Sequence, residues 1–255
     1  MARCDYLLID ISNSYTKLAF ASRRHVGSAT RIRTRELTRA AMARLLAKRE
    51  AGAVVVCSVV PAKNSLVRQV AGQARMLFVD AKCDLGVGVD YPQPTTIGAD
   101  RLANAAAVAQ LYGKPAIVVD FGTAVTFDVV SAAGNYIGGV IAPGLEAMTN
   151  FLYQRTALLP RLTLREPASA IGRTTRAAMM SGAVYGYRGL VREIIARIST
   201  EAFPRRKVRV VATGGYARLI AKQLPEIEAV HEGLTLEGLR LIGNLNFADA
   251  SARAS

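Results

Sequence analysis

Short apolar runs and segments of helical period take turns along the whole chain. Runs rich in Val, Ile and Leu at 6–9, 17–21, 53–59, 76–79, 116–119, 126–130 and 208–212 read as strands. Between them, 37–49, 101–111, 174–187 and 190–200 carry apolar residues at helical rather than alternating spacing. This alternation predicts an α/β architecture, not segregated strands and helices, and no low-complexity linker divides it. The longest apolar stretches, such as 53–60, fall far short of the roughly 20 residues that a membrane-spanning helix needs. At the amino terminus Asp10 interrupts the apolar run that follows Arg3 and Asp5, so the segment reads as a first strand and not as a secretory signal.

One pattern occurs twice. Tyr6-Leu-Leu-Ile-Asp10-Ile-Ser12-Asn-Ser14-Tyr-Thr16 and Ala116-Ile-Val-Val-Asp120-Phe-Gly122-Thr123-Ala-Val-Thr126 both run from an apolar strand to Asp, one apolar residue, a small residue, a hydroxyl-bearing turn and a second strand. That order suits an internal duplication in which each half contributes one phosphate-facing loop. Two buried strands of similar composition are the alternative, and this pair alone leaves it open. A third element is Val208-Arg-Val-Val-Ala212-Thr213-Gly214-Gly215, a strand entering a Gly-Gly turn and then a helix, which lets backbone approach a ligand closely. The three elements together resemble the two phosphate loops and the adenosine loop of the sugar kinase, Hsp70 and actin superfamily. The resemblance implies two duplicated ribonuclease-H-like (actin-like ATPase) domains around a central nucleotide cleft. The expected domains are 1–115, with the first loop, and 116–255, with the second loop, the Gly214-Gly215 adenosine loop and a dimer interface.

Charge narrows the partners. The chain carries 33 Lys+Arg against 19 Asp+Glu, a formal +14, on an otherwise ordinary soluble composition of 51% hydrophobic and 6% aromatic residues. Such a surface is drawn to anions: nucleotides, phosphorylated metabolites, nucleic acid or acidic lipid. Much of it lies at 23–49, where nine Lys/Arg stand against Glu36 alone. That segment lacks aromatic residues for base stacking and matches no nucleic-acid module, so a solvated arginine-rich face is the plainer account. Cys4, Cys57 and Cys83 are too scattered for a zinc site or disulfide framework, which fits a reducing cytoplasm. His25 and His231 have no companion at ligand spacing.

Phosphoryl transfer asks a protein mainly to position groups and neutralise charge. Asp10 and Asp120, at strand ends, are carboxylates able to organise magnesium or another cation, although a turn or cap role serves either alone. Hydroxyls and amides of Ser12-Asn13-Ser14 and Gly122-Thr123 would lie over the β and γ phosphates, with Thr16 and Lys17 as further donor and cation. A strand lysine more often projects to solvent. The stretch from Asp90 to Ala106 is a Pro-rich loop that leads through Gly98-Ala99-Asp100-Arg101 into an alanine-rich helix. There Asp100 either caps the helix or accepts the proton of an attacking hydroxyl, with Arg101 on an anionic part of the substrate.

Asp10-Ile-Ser-Asn-Ser14, Tyr91 with Gly98-Ala-Asp-Arg101, Val119-Asp-Phe-Gly-Thr-Ala124, Gly138-Gly-Val-Ile-Ala-Pro-Gly144 and Ile171-Gly-Arg-Thr-Thr175 followed by Ala178-Met-Met-Ser-Gly182 occur in the order and spacing of type III pantothenate kinases. The resemblance covers roughly 5–245. It implies ATP-dependent phosphorylation of the primary hydroxyl of pantothenate, the first step toward coenzyme A. It assigns the proton acceptor to Asp100 and substrate binding to Tyr91, Gly98, Ala99, Asp100, Arg101 and Thr175. ATP, with Mg2+, falls to Asp10, Ile11, Ser12, Asn13, Ser14, Tyr15, Thr16, Lys17 and Thr123, beside Gly122, Gly214 and Gly215. A monovalent cation, K+ or NH4+, falls to Asp120, and the protein is expected to be a cytoplasmic homodimer with its substrate pocket completed near the subunit interface. One departure stands out: the family's first loop has glycine where this chain has Ser12. A Cβ there is costly if the backbone needs positive φ, by about 1–2 kcal/mol, and harmless if the backbone is extended. The rival account is a weakened or inactive paralogue that regulates, or binds nucleic acid, through its basic surface.

Overall fold

The structure is a computed structural model that describes residues 3–46 and 50–247. The chain forms two compact units, one of residues up to Leu111 together with the segment from Gly233, the other Tyr112–Glu232.

In the first unit, β1 (Arg3–Ile11), β2 (Tyr15–Ala21), β3 (Thr30–Arg33), β4 (Glu50–Ser58) and β5 (Arg75–Phe78) form one sheet in the order β3-β2-β1-β4-β5. β1, β2 and β3 pair antiparallel, whereas β4 lies parallel to β1 and β5 parallel to β4. One face of β1 and β4, with Leu7, Ile9, Ile11, Val54 and Val56, packs on Leu37, Met42 and Val67. The last two belong to α1 (Arg39–Leu46) and α2 (Asn64–Ala71). The helix expected over 37–49 is thus shorter at its start. Residues 47–49, with Lys48 and Arg49 of the basic segment, lie outside the described residues. A two-residue strand β6 (Gly88–Val89) and α3 (Ala99–Leu111) follow.

The second unit comprises β7 (Ala116–Phe121), β8 (Ala124–Val130), β9 (Asn135–Pro143), α4 (Leu145–Arg155), α5 (Thr175–Ala202), β10 (Arg209–Gly214), α6 (Ala217–Ala221) and β11 (Ala229–Val230). Its strands run β11-β10-β7-β8-β9. β7, β8 and β9 are antiparallel, and β10 and β11 continue parallel to β7. Read from its own first strand this is the order of the first sheet, with the same directions, so the repeated pattern is a true duplication. Ile117, Val119, Phe121, Val125, Phe127 and Val210 pack against Val184, Tyr187 and Val191 of α5. The two helices expected at 174–187 and 190–200 are this one continuous helix, which runs through Gly182, Gly186 and Gly189.

The last helix, α7 (Leu234–Asn246), belongs with the first unit, unlike the expected 116–255 grouping. Its glycines make the close approach possible. A Cβ on Gly238 would collide with the Ala103 carbonyl of α3, and one on Gly243 would come within 3.0 Å of Val55. Thr235 Oγ1 donates to the buried Asn104 Oδ1 at 2.8 Å across the same helix pair. Among the described residues no helix is long and apolar enough to cross a membrane.

Candidate active site

Asp10 stands near the end of β1 with its carboxylate buried. Strand register places Lys17 of β2 on one side of it and Cys57 of β4 on the other. Lys17 Nζ lies 3.7 Å from Asp10 Oδ2, so this lysine turns to the carboxylate and not simply to solvent. Oδ1 accepts from Ser12 Oγ at 3.0 Å and from the Cys57 thiol at 3.4 Å. Burial, then the carboxylates of Asp10 and Asp100, push the Cys57 thiol well up, which keeps it a protonated donor.

The hairpin after Asp10 closes through Ser12 N–H donating to Tyr15 O at 3.1 Å. Among the described residues only Arg205 is a non-glycine with positive φ, so Ser12 carries no backbone strain and replaces glycine at no conformational cost. Asn13 and Ser14 are exposed at the tip. Ile11 and Thr16 are buried, Ile11 in the apolar core and Thr16 against the Thr34 hydroxyl, so neither side chain faces outward. The Tyr15 ring is covered by the Arg31 guanidinium at 3.5 Å.

Asp100 is the second residue of α3. Its Oδ1 accepts the neighbouring Arg101 backbone N–H at 2.9 Å, an amide of the first turn that also donates to Gly98 O at 3.0 Å. Gly98 stands close by: a Cβ there would lie 2.6 Å from the same oxygen and 3.6 Å from Val59 Cγ1. Burial raises the Asp100 pKa from its ordinary value and the Asp10 charge raises it further, against the lowering pull of Arg101. One Asp100 oxygen is thus held by an amide of the first helical turn, while burial and the Asp10 charge make the carboxylate more basic than an ordinary one. Ala99 is buried, and Tyr91 is half-buried in the loop before α3.

In the second unit, register sets Asp120 of β7 between Thr126 of β8 and Thr213 of β10. Gly214 has φ +91°, and a Cβ on it would lie 2.5 Å from Asp120 Oδ1. Gly122 begins the following turn, where a Cβ would stand 3.7 Å from that carboxylate oxygen. Gly144 N–H donates to Thr123 O at 3.2 Å. No side chain fits at Gly144, because its Cβ would overlap that carbonyl and lie 2.7 Å from Gly122 O. Tyr187 of α5 holds this contact from behind by donating its hydroxyl to Pro143 O at 3.1 Å. Gly215 is exposed, with nothing within 4 Å of a Cβ built there. Thr175 is exposed at the start of α5, and the helix is capped by its neighbour Thr174, whose Oγ1 accepts from Ala177 N–H at 3.2 Å. Among the described residues no three His, Cys, Asp or Glu gather as a metal cluster.

The expected site residues thus gather as Asp10, Ser12 and Lys17, as Gly98, Asp100 and Arg101, and as Asp120, Gly122 and Gly214. Tyr91 and Thr175 sit on a loop and a helix start of their own. Sequence patterns did not single out Cys57 or Tyr187. Cys57 gains its place from strand register alone, and Tyr187 from a partner 44 residues away.

A family model described as type III pantothenate kinase matches residues 6–197. A type III pantothenate kinase of Methylacidiphilum infernorum is 43% identical over 239 residues, covering 94% of this chain and 88% of its own. One from Akkermansia muciniphila is 49% identical over 243 residues, covering 94% and 99%. Among solved structures, the chain is similar to a conserved putative Baf family transcriptional activator from Campylobacter jejuni, with TM-score 0.63, 18% identity and coverage of 93% and 97%. It is also similar to a putative 2-dehydro-3-deoxygalactonokinase from Sinorhizobium meliloti, with TM-score 0.61, 13% identity and coverage of 96% and 98%. At such identities these two speak for the fold alone, which is that of the actin-like ATPases and sugar kinases. Nothing in these comparisons favours an inactive regulatory or nucleic-acid-binding paralogue. By sequence over nearly its whole length, the chain belongs to the type III pantothenate kinase family.

Proposed function

We infer that the protein phosphorylates the primary hydroxyl of pantothenate with ATP, giving 4'-phosphopantothenate on the route to coenzyme A. The observation that carries the mechanism is the setting of Asp100, with one oxygen fixed by Arg101 N–H and its pKa raised by burial and by Asp10. A carboxylate of raised pKa is the stronger base, and the oxygen not held by the helix amide is the one that takes the hydroxyl proton. The transition state of phosphoryl transfer is loose, so Asp100 chiefly orients the hydroxyl and receives its proton late. Arg101, Tyr91, Gly98, Ala99 and Thr175 are assigned to pantothenate.

ATP enters as a substrate with Mg2+. To the triphosphate we assign the Ser12–Ser14 loop through the amides of Asn13 and Ser14 and the Ser14 hydroxyl, with Ser12 holding the turn and Asp10 in place, Lys17 as a cation and Asp10 as the carboxylate toward magnesium. Ile11, Tyr15 and Thr16 contribute backbone and packing. Gly122 and Thr123 supply the second phosphate loop, and Gly214 and Gly215 the adenosine loop. Each unit in this scheme carries one phosphate loop.

The residues around Asp120 fit a monovalent cation. The Thr213 hydroxyl beside it in register is buried without a hydrogen-bond partner among the described residues, and a spare oxygen next to a carboxylate is a ligand pair for K+ or NH4+. Bound there, the ion would offset phosphate charge. We also place the enzyme in the cytoplasm as a homodimer. The three cysteines are unpaired, and Ile141, Met148, Phe151, Leu158 and Ile171 leave large apolar side chains exposed on the second unit. The test is a coupled ADP-release assay: ADP should appear only when ATP and pantothenate are both present, and release that ignores pantothenate would refute the assignment.

A further inference from the structure

Thr34 lies directly after β3 and is only 3% exposed, a polar side chain in a core position. It makes three contacts with the β1–β2 hairpin. Its hydroxyl donates to Ser12 O at 2.6 Å, its backbone N–H donates to Ser14 O at 3.1 Å, and its Oγ1 lies 3.1 Å from Thr16 Oγ1. A hydroxyl has one proton to give. Since Thr34 gives it to Ser12 O, the Thr16 hydroxyl is the donor of the Thr16–Thr34 pair, and the order runs from Thr16 through Thr34 to the loop carbonyl.

The consequence for the loop is electrostatic. Carbonyl oxygens directed at a polyanion repel it, whereas amides and hydroxyls attract it. Thr34 engages the carbonyls of both Ser12 and Ser14 from the protein side, while Asn13 and Ser14 stay exposed at the tip. Pairing of Thr16 with Ile32 and Tyr15 with Arg33 holds Thr34 in register with the loop it ties down. Neither the composition of the loop nor its motif reveals this contact, because Thr34 is 22 residues from Ser12.

We propose that Thr34 is a positioning residue for nucleotide binding, which fixes the Ser12–Ser14 loop with its carbonyls turned away from the triphosphate. The proposal rests on the assignment of that loop to ATP.

Thr34→Val keeps the branched shape and removes the hydroxyl. In the full-length enzyme it should raise both the KM for ATP and the dissociation constant of a non-hydrolysable ATP analogue, measured by calorimetry, on the order of tenfold. The KM for pantothenate should stay within about twofold, and Thr34→Ser should restore nucleotide binding, because both effects follow from one donor. Wild-type nucleotide constants in a folded Thr34→Val, or a lower melting temperature with those constants unmoved, would overturn the proposal and leave Thr34 purely structural. If Thr34→Val does not fold, Thr34→Cys, with a weaker donor, should show an intermediate loss, and an unaltered analogue affinity there overturns the proposal equally. Asn13→Asp separates the two levels. Added negative charge at the tip should weaken analogue binding if the loop faces the triphosphate. No effect would sink the loop assignment and the proposal with it. Weakening by Asn13→Asp without weakening by Thr34→Val sinks the proposal alone.

Discussion

A Cβ on Gly98 would stand 2.6 Å from Asp100 Oδ1, so the residue two places before the proposed base must lack a side chain for that carboxylate to keep its place. Gly98→Ala should therefore lower kcat on the order of 10²-fold, the scale of a misplaced reacting group. The fold should persist, since the clash is with one side-chain oxygen. Steady-state kinetics beside circular dichroism check this. Wild-type kcat would mean that Asp100 can move without consequence.

Ser12→Gly should leave the KM for ATP within about twofold of wild type, because Ser12 is not at positive φ and removing its Cβ relieves no strain. Its hydroxyl bond to Asp10 is lost, so any change should be a small weakening. A clear fall in the ATP constant would show that the serine does obstruct the phosphates.

The cation prediction concerns Asp120 and Thr213. Activity should rise when K+ or NH4+ replaces Na+ at constant ionic strength, and Thr213→Val should blunt that response while the protein stays folded. Gly214→Ala should damage it more, because the new Cβ would press on Asp120 Oδ1 from 2.5 Å at a φ that alanine resists. Rates indifferent to the cation would remove the ion from Asp120.

The pH dependence follows from the raised pKa of Asp100. The base works ionised, so kcat should fall as pH drops through the raised pKa of Asp100. Asp10→Asn removes a charge that raises this pKa and should shift the acid limb to lower pH, apart from any loss in ATP use. For stability the sign is the reverse of a salt-bridged carboxylate. The folded state holds the Asp100 proton more tightly than the unfolded chain, so this group stabilises the fold at acid pH and costs stability once pH has risen through its folded pKa. An acid limb of kcat unmoved by Asp10→Asn would contradict this.

The duplication was legible because both copies place Asp at the end of an apolar strand, and the second sheet repeats the strand order of the first. The gaps have physical causes. β3, Thr-Arg-Ile-Arg, is an edge strand whose arginines conceal any apolar run. α4 leaves Met148, Phe151 and Leu152 exposed, so its apolar positions do not mark a buried face. α7 returns to the first unit because Gly238 and Gly243 allow it to lie close on α3 and β4, a contact no local pattern announces. In the candidate site the motif residues could be named from the sequence, whereas the side chains they meet could not: Cys57 reaches Asp10 and Thr34 reaches Ser12 through strand register, and Tyr187 reaches Pro143 across 44 residues.

Asp100→Asn tests the central claim most directly, because asparagine keeps an oxygen that can accept the Arg101 N–H while it loses the charge. Turnover should fall by roughly 10²–10⁴-fold, the range for a lost general base, and toward the lower end because the transition state is loose. The melting temperature at neutral pH should hold or rise, since a buried charge that costs stability has been removed. A folded Asp100→Asn enzyme that phosphorylates pantothenate at near the wild-type rate would contradict the mechanism and leave Asp100 as a structural residue of the first helical turn.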